Sequence, residues 1–233
     1  MHSVSVGHPH MTFAESILSL LRTLRIDATL PKGVEVLNPY QDANVMKLCA
    51  SFYDRFYNDT RPRRLIVGIN PGRFGGGITG IPFTDPIKLA TVCGIPNDLG
   101  RRTELSADFI YRVIEEYGGP QAFYASFYIT AVSPLGFVRD NKNLNYYDVK
   151  ELQEAITPFA VQSMNSVLEA PVDKTKCYCI GEGDNYKFLL SLNKTHGWFD
   201  EIIPLPHPRF VMQYRRKQLQ HHVDNYLTKL SLP

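Results

Sequence analysis

The chain has 233 residues, 44% of them apolar and 21% charged, which fits one domain with a substantial core better than two small ones. Against 23 acidic side chains stand 25 basic ones, a formal net charge of +2, so no whole-molecule field marks a polyanionic partner and any nucleic-acid surface has to be a local patch. No apolar run approaches the roughly 20 residues of a membrane span, so no membrane partner is expected.

The start, MHSVSVGHPHM, lacks the apolar stretch of a signal peptide and reads as a frayed end or a cloning remnant, with Met11 an alternative start. Apolar positions at helical spacing in FAESILSLLRTL predict a first helix, and those in NVMKLCASFYDRFY a second. Four short apolar runs bounded by turn residues, RLIVGI, FYASFYITAV, KCYCIG and EIIPLPH, read as strands. Helical segments are expected near 86–93, 107–117, 149–168 and 185–192, with a last one over about 212–230. Strands alternating with helices imply a parallel sheet covered on both faces, an α/β sandwich. NKNLNYYD reads as a polar loop within the domain, and there is no internal repeat or low-complexity tract. Cys49, Cys93, Cys177 and Cys179 form no C-x-x-C pair, and two of them lie in an apolar run; buried, reduced thiols in an intracellular protein are expected.

In such a sheet ligands bind beyond the carboxyl ends of the strands. The first run ends in GINPGRFGGGITGIPF, the second in TAVSPLGF and the fourth in PLPHPRF, while the third, IGEGDNYKF, reads as a turn into a helix. The glycine-rich loop is no P-loop, because no Gly-Lys-Ser/Thr follows, and it does not match the dinucleotide fingerprint G-x-G-x-x-G. Pro71 and Pro82 stiffen it, while Gly72, Gly75, Gly76, Gly77 and Gly80 let backbone amides come close to a ligand. The competing reading is a plain surface loop. Asn70 before Pro-Gly is equally a turn former, and His207 between prolines equally a packing residue.

The order of residues adds to this. GINPGRFGGGITGIPF resembles the first motif of the single-strand-selective monofunctional uracil-DNA glycosylases, G-x-N-P-G-x-F-G followed by T-G-x-P-F. The resemblance extends through VEVLNPY, SPLGF, NKNLNYYD, CIGEG and PLPHPRF, over residues 35–227. It implies a three-layer α/β/α sandwich with a central four-stranded parallel sheet, residues 1–34 being an N-terminal extension with the first helix and 35–233 a single domain. It also implies hydrolysis of the bond between a damaged base and deoxyribose in DNA, single- or double-stranded, with the nucleotide flipped out of the stack. The enzyme would need no cofactor and no metal, and would act as a cytoplasmic monomer. Asn70 would orient the water, His207 would donate a hydrogen bond to the departing base, and Phe83 would stack on that base. Residues 72–77, Gly72 first, would be small because base and sugar pass against the backbone. Asp85 reads as a helix cap, or as a carboxylate near the sugar cation. The matched motifs hold no lysine for a Schiff base, although Lys88 and Lys187 lie near them in sequence.

Two departures from the family pattern matter. Where related glycosylases carry an asparagine that pairs with the uracil edge, this chain offers Thr130 or Ala131, neither of which presents an amide's paired donor and acceptor. Hypoxanthine or xanthine therefore joins uracil as a candidate substrate. After His207 the family's Ser-Pro pair is missing, leaving Arg209, then Arg215, Arg216 and Lys217, as phosphate contacts beside Arg73. Phe210, Val211 and Met212 read as an apolar wedge or as the buried start of the last helix. The alternatives to a glycosylase are a noncatalytic binder of damaged or single-stranded DNA, and a nucleoside or nucleotide hydrolase.

Overall fold

The computed structural model describes residues 11–231; the expectations for residues 1–10 lie outside the described residues. Helix α1 (Phe13–Thr23) opens on a reciprocal cap, Glu15 N–H donating to Thr12 Oγ1 at 3.2 Å and Thr12 N–H to Glu15 Oε2 at 2.7 Å. It buries Phe13, Ala14, Ile17, Leu18 and Leu21, the stripe that its apolar spacing dictates. After β1 (Glu35–Leu37), Asp42 caps α2 (Ala43–Tyr57) through Asn44 N–H. The chain then enters β2 (Arg63–Gly68), five of whose six residues are buried.

The segment after β2 carries two short helices, α3 (Gly76–Thr79) and α4 (Pro86–Thr91), before α5 (Leu105–Glu116) and α6 (Gly119–Ser126). β3 (Phe127–Ala131), β4 (Gly136–Arg139) and β5 (Lys142–Leu144) follow, then α7 (Lys150–Val167), β6 (Val172–Ile180), α8 (Asp184–His196) and β7 (Glu201–Leu205). The chain closes with α9 (Pro208–Tyr214) and α10 (Leu219–Leu230).

The main sheet has the order β3-β2-β6-β7 and is parallel throughout, Leu65 pairing with Tyr128 on one side and Cys177 on the other. With helices on both faces this is the expected α/β sandwich. Four local readings are corrected. NKNLNYYD is no loop: β5 pairs with β4, which pairs with β1, in a second, antiparallel sheet. Its hairpin turns on Asp140 and Asn141, both at positive φ (51° and 57°), the conformation of a tight two-residue turn. The apolar run FYASFYITAV is strand only from Phe127; its first part lies in α6, since a short buried run does not distinguish helix from strand. The last helical segment is two helices, separated by a 3-10 turn at Arg216–Gln218. And α3 occupies part of what reads as unbroken loop.

Candidate active site

The carboxyl ends of β2, β3 and β7 face one hollow of about 1150 Å³, its open mouth included, lined among others by Asn70, Gly72, Phe83, Thr130, Ala131, His207 and Arg209. Asn70 and His207, 137 residues apart in the chain (207 − 70), thus share a cavity.

Asn70 is fixed from both sides. Its Nδ2 donates to the carbonyl of Leu144 at 3.1 Å, and its Oδ1 accepts from Tyr146 N–H at 3.0 Å. Those partners set which end of the amide is oxygen. They also explain the small sheet: β5 delivers residues 144–146 to the asparagine. One lone pair of Oδ1 remains for a water.

His207 caps α9, its Nδ1 accepting from Arg209 N–H at 3.2 Å. Burial, and next the Arg209 charge, push the imidazole down to about 4. At neutral pH the ring is therefore uncharged, with its proton on Nε2. Tyr226, buried on α10, donates to the carbonyl of Pro206 and anchors the turn that carries this ring.

Phe83 sits at φ 51°, an uncommon conformation for an aromatic residue. The turn is held by Thr79 Oγ1, which donates to the Thr84 carbonyl at 2.7 Å, and by the contact of the Thr84 and Tyr111 hydroxyls at 2.9 Å. Its ring lies over Gly68, where a Cβ would meet Phe83 Cε2 at 3.1 Å.

The profile described as the Uracil DNA glycosylase superfamily matches residues 55–231. The chain belongs to that superfamily. A solved structure titled as that of wild-type SMUG2 from Pedobacter heparinus shares 41% sequence identity, covering 94% of this chain and 97% of its own, with a TM-score of 0.91. Among curated proteins none matches significantly. Membership in the uracil DNA glycosylase superfamily makes this a glycosylase fold for DNA, and the remaining side chains are placed accordingly.

The glycines divide into two groups. Gly72 and Gly76 line the cavity, but a Cβ on Gly75 would stand 1.8 Å from Glu104 Oε2, and one on Gly77 2.6 Å from the Gly72 carbonyl oxygen. The reading of the whole 72–77 stretch as a path for the ligand is thus corrected: Gly75 and Gly77 are small because the protein's own atoms fill the space. Asp85 is a cap and does not line the cavity: fully buried, it accepts from Lys88 N–H at 2.8 Å and Glu104 N–H at 3.1 Å. Thr130 lies on the same strand face as Tyr128, and both line the hollow, as does Ala131.

The basic side chains separate as well. Arg209 lines the cavity; Arg215, Arg216 and Lys217 are exposed but outside it, and the Arg215 guanidinium lies over the Phe210 ring at 5.3 Å. Arg73 stacks on Phe74 at 4.7 Å, and Arg102 on the same ring at 5.1 Å. The apolar triplet does not act as one unit. Val211 is fully buried and Met212 partly so, leaving Phe210 exposed beside Tyr214, ring centroids 5.6 Å apart. Lys88 pairs with Asp108 at 3.0 Å and Lys187 with Asp184 at 3.6 Å, neither at the cavity. Among the described residues no helix is long and apolar enough to cross a membrane.

Sequence reasoning passed over Glu104, Asn143, Asn145 and Arg102. Glu104, Asn143 and Asn145 line the cavity. Burial, and next the charge of Asp85, push the Glu104 carboxyl up to about 7, against the pull of Arg209. In the sequence Glu104 is one polar residue in NDLGRRTEL, and no local signal marks it.

Proposed function

We propose that the chain is a monofunctional DNA glycosylase, hydrolysing the N-glycosidic bond of uracil or a related deaminated base in DNA and so opening base excision repair inside the cell. The observation that carries this reading is the shared cavity, with the amide of Asn70 at one strand end and an uncharged His207 at another. As the glycosidic bond lengthens, the sugar turns cationic and the base anionic, so the catalyst needs an oriented water on one side and a hydrogen-bond donor on the other. Asn70, pinned by Leu144 and Tyr146, is suited to the first task. His207 is suited to the second, because Nδ1 is occupied as an acceptor and Nε2 bears the proton. An uncharged donor stabilises the departing anion without handing over a full proton.

Extruding a nucleotide costs a few kcal/mol. Phe83, stacked on the base, would return about 1–3 kcal/mol of this, and Arg209 with Arg73 would hold the flanking phosphates. Phe210, exposed and next to Arg209 in the chain, would enter the gap left in the stack, while Arg215, Arg216 and Lys217 would meet more distant phosphates. Thr130 and Ala131, in place of an amide, leave both the pyrimidine and the deaminated purines as substrates.

The test is incubation with oligonucleotides carrying one uracil, hypoxanthine or xanthine, in single and double strands, followed by alkali. Strand breaks at the modified position are the expected result. A gel shift without alkali-labile sites would make the protein a binder, and release of base from free nucleosides alone would make it a nucleoside hydrolase.

A further inference from the structure

The water in this reaction still lacks a proton acceptor. An amide is a poor base, Asn70 Oδ1 already accepts from Tyr146 N–H, and His207 Nδ1 from Arg209 N–H. Among the described residues that line the cavity, Glu104 is the one carboxylate.

Its place is built by the fold. Fully buried Asp85 grips the Glu104 backbone N–H at 3.1 Å just ahead of α5, and the side chain lies back over the glycine loop. Oε2 fills the space beside Gly75 that any larger residue would take, 1.8 Å from a Cβ position. Oε1 stands 3.4 Å, and Asn143 Nδ2 3.0 Å, from the Cβ position of Gly72, two residues after Asn70. Among the described residues neither a hydrogen bond nor an ion pair engages the Glu104 carboxyl oxygens, although Arg209 is close enough to act on their charge. A carboxylate placed to bind a cation would have taken that guanidinium as its partner; this one is left turned to the cavity.

We propose that, within the glycosylase reaction on which this inference rests, Glu104 is a catalytic residue that takes the proton of the water oriented by Asn70. The water oxygen bonds to the sugar C1′ as the C1′–N bond breaks. The bonding pair leaves with the base, whose oxygen meets His207 Nε2–H, and the water's proton passes to the Glu104 carboxylate. The products are an abasic sugar and a base anion, which is reprotonated from Glu104 or solvent. No electrons change hands and no co-reactant beyond water is needed.

A base works best with both forms accessible near the working pH. The groups acting on Glu104 fit: burial and Asp85 at the α4 cap raise it to about 7, Arg209 on α9 opposes them, and His207 is neutral. Arg73 and Arg102 lie over the Phe74 ring and do not line the cavity. Phosphates of bound DNA add negative charge, so the inflection in the complex stands at about 7 or above.

The experiment is single-turnover base release by the full chain and by Glu104→Gln, between about pH 5 and about pH 9. It is paired with melting curves and with binding to an oligonucleotide carrying an uncleavable abasic analogue. The wild type is expected to gain rate with rising pH through the inflection. Glu104→Gln should lose roughly 10² in rate above it and lose the inflection itself, with fold and analogue binding kept. A glutamine variant that keeps the rate or the inflection overturns the proposal, as does one whose lost activity is matched by lost binding. If the wild type releases no base from any of the three substrates, it is the glycosylase reading that fails, and this inference goes with it.

Discussion

The two ends of β2 are built in opposite ways. At its amino end Arg63 is fully buried, yet each part of its guanidinium is engaged: Nε donates to the Tyr124 carbonyl at 2.8 Å, Nη1 to Asp59 at 2.9 Å, and the plane lies against the rings of Phe13 and Tyr57. Burial pushes Asp59 up, but hydrogen bonds from Arg63 and Arg61 outweigh it and hold the carboxyl well below the usual range. At the carboxyl end Phe83 has a positive φ, His207 is driven neutral, and burial pushes up the Glu104 carboxyl, which no hydrogen bond engages among the described residues. One end satisfies its charges and stabilises the fold; the other keeps unspent hydrogen-bonding capacity for a ligand. Strain of about 1–3 kcal/mol at a site persists only where the surroundings over-determine it, and at Phe83 the buried hydroxyls of Thr79, Thr84 and Tyr111 hold the turn in place.

The sharpest way to break the contrast is to remove one group at each end. His207→Ala should slow base release by roughly 10² to 10³, with analogue binding and melting temperature little changed, since the ring's one hydrogen bond is a local cap. An equal loss of binding would place the histidine in recognition and not in the chemical step. Asp59→Ala should do the reverse: about 3 kcal/mol of stability lost by urea unfolding, because a buried guanidinium loses its carboxylate, with base release per folded molecule unchanged. The Asp59 carboxyl has its folded value below its unfolded one. Its contribution is thus complete above the unfolded value of about 4 and fades as pH falls below that.

Glu104 carries the opposite sign. Its folded value, about 7, stands above the model-peptide value of 4.5, so its contribution is complete below about pH 4 and is lost as pH rises through 7. Glu104→Gln should therefore melt with the wild type at low pH and a few degrees above it at about pH 8, the usual exchange of stability for function. Equal melting temperatures at both pH values would mean that the carboxyl is not held away from water.

How much of this was legible follows from where each signal is stored. The main strands are written as apolar runs because a central parallel strand is buried on both faces; β2 and β6 stand out for that reason. Asn70, Phe83 and His207 are reachable through ordered motifs at strand ends, where a fixed spacing fixes a geometry. β5 is not, since Lys142 and Asn143 are exposed and the strand exists to carry Leu144 and Tyr146 to Asn70. Glu104 is least legible of all. Its role depends on Asp85 gripping its backbone and on a missing Cβ at Gly75, neither of which leaves a pattern near residue 104.

The smallest expected effect concerns the basic side chains, and it sharpens the same division between site and support. Arg216 is exposed on the 3-10 turn away from the cavity, whereas Arg209 lines it. If Arg216 meets a phosphate, Arg216→Ala should lower DNA affinity for all sequences alike and reduce the salt slope by about 1, with the rate of the bound complex unchanged. Arg209→Ala should also alter that rate, because its charge depresses His207 and opposes the upward shift of Glu104. Removing it lets both groups titrate higher, which moves the pH dependence of base release upward. An Arg216 variant with an unchanged salt slope would withdraw that face from the DNA path and leave Arg73 and Arg209, the second of which lines the cavity, as the phosphate contacts.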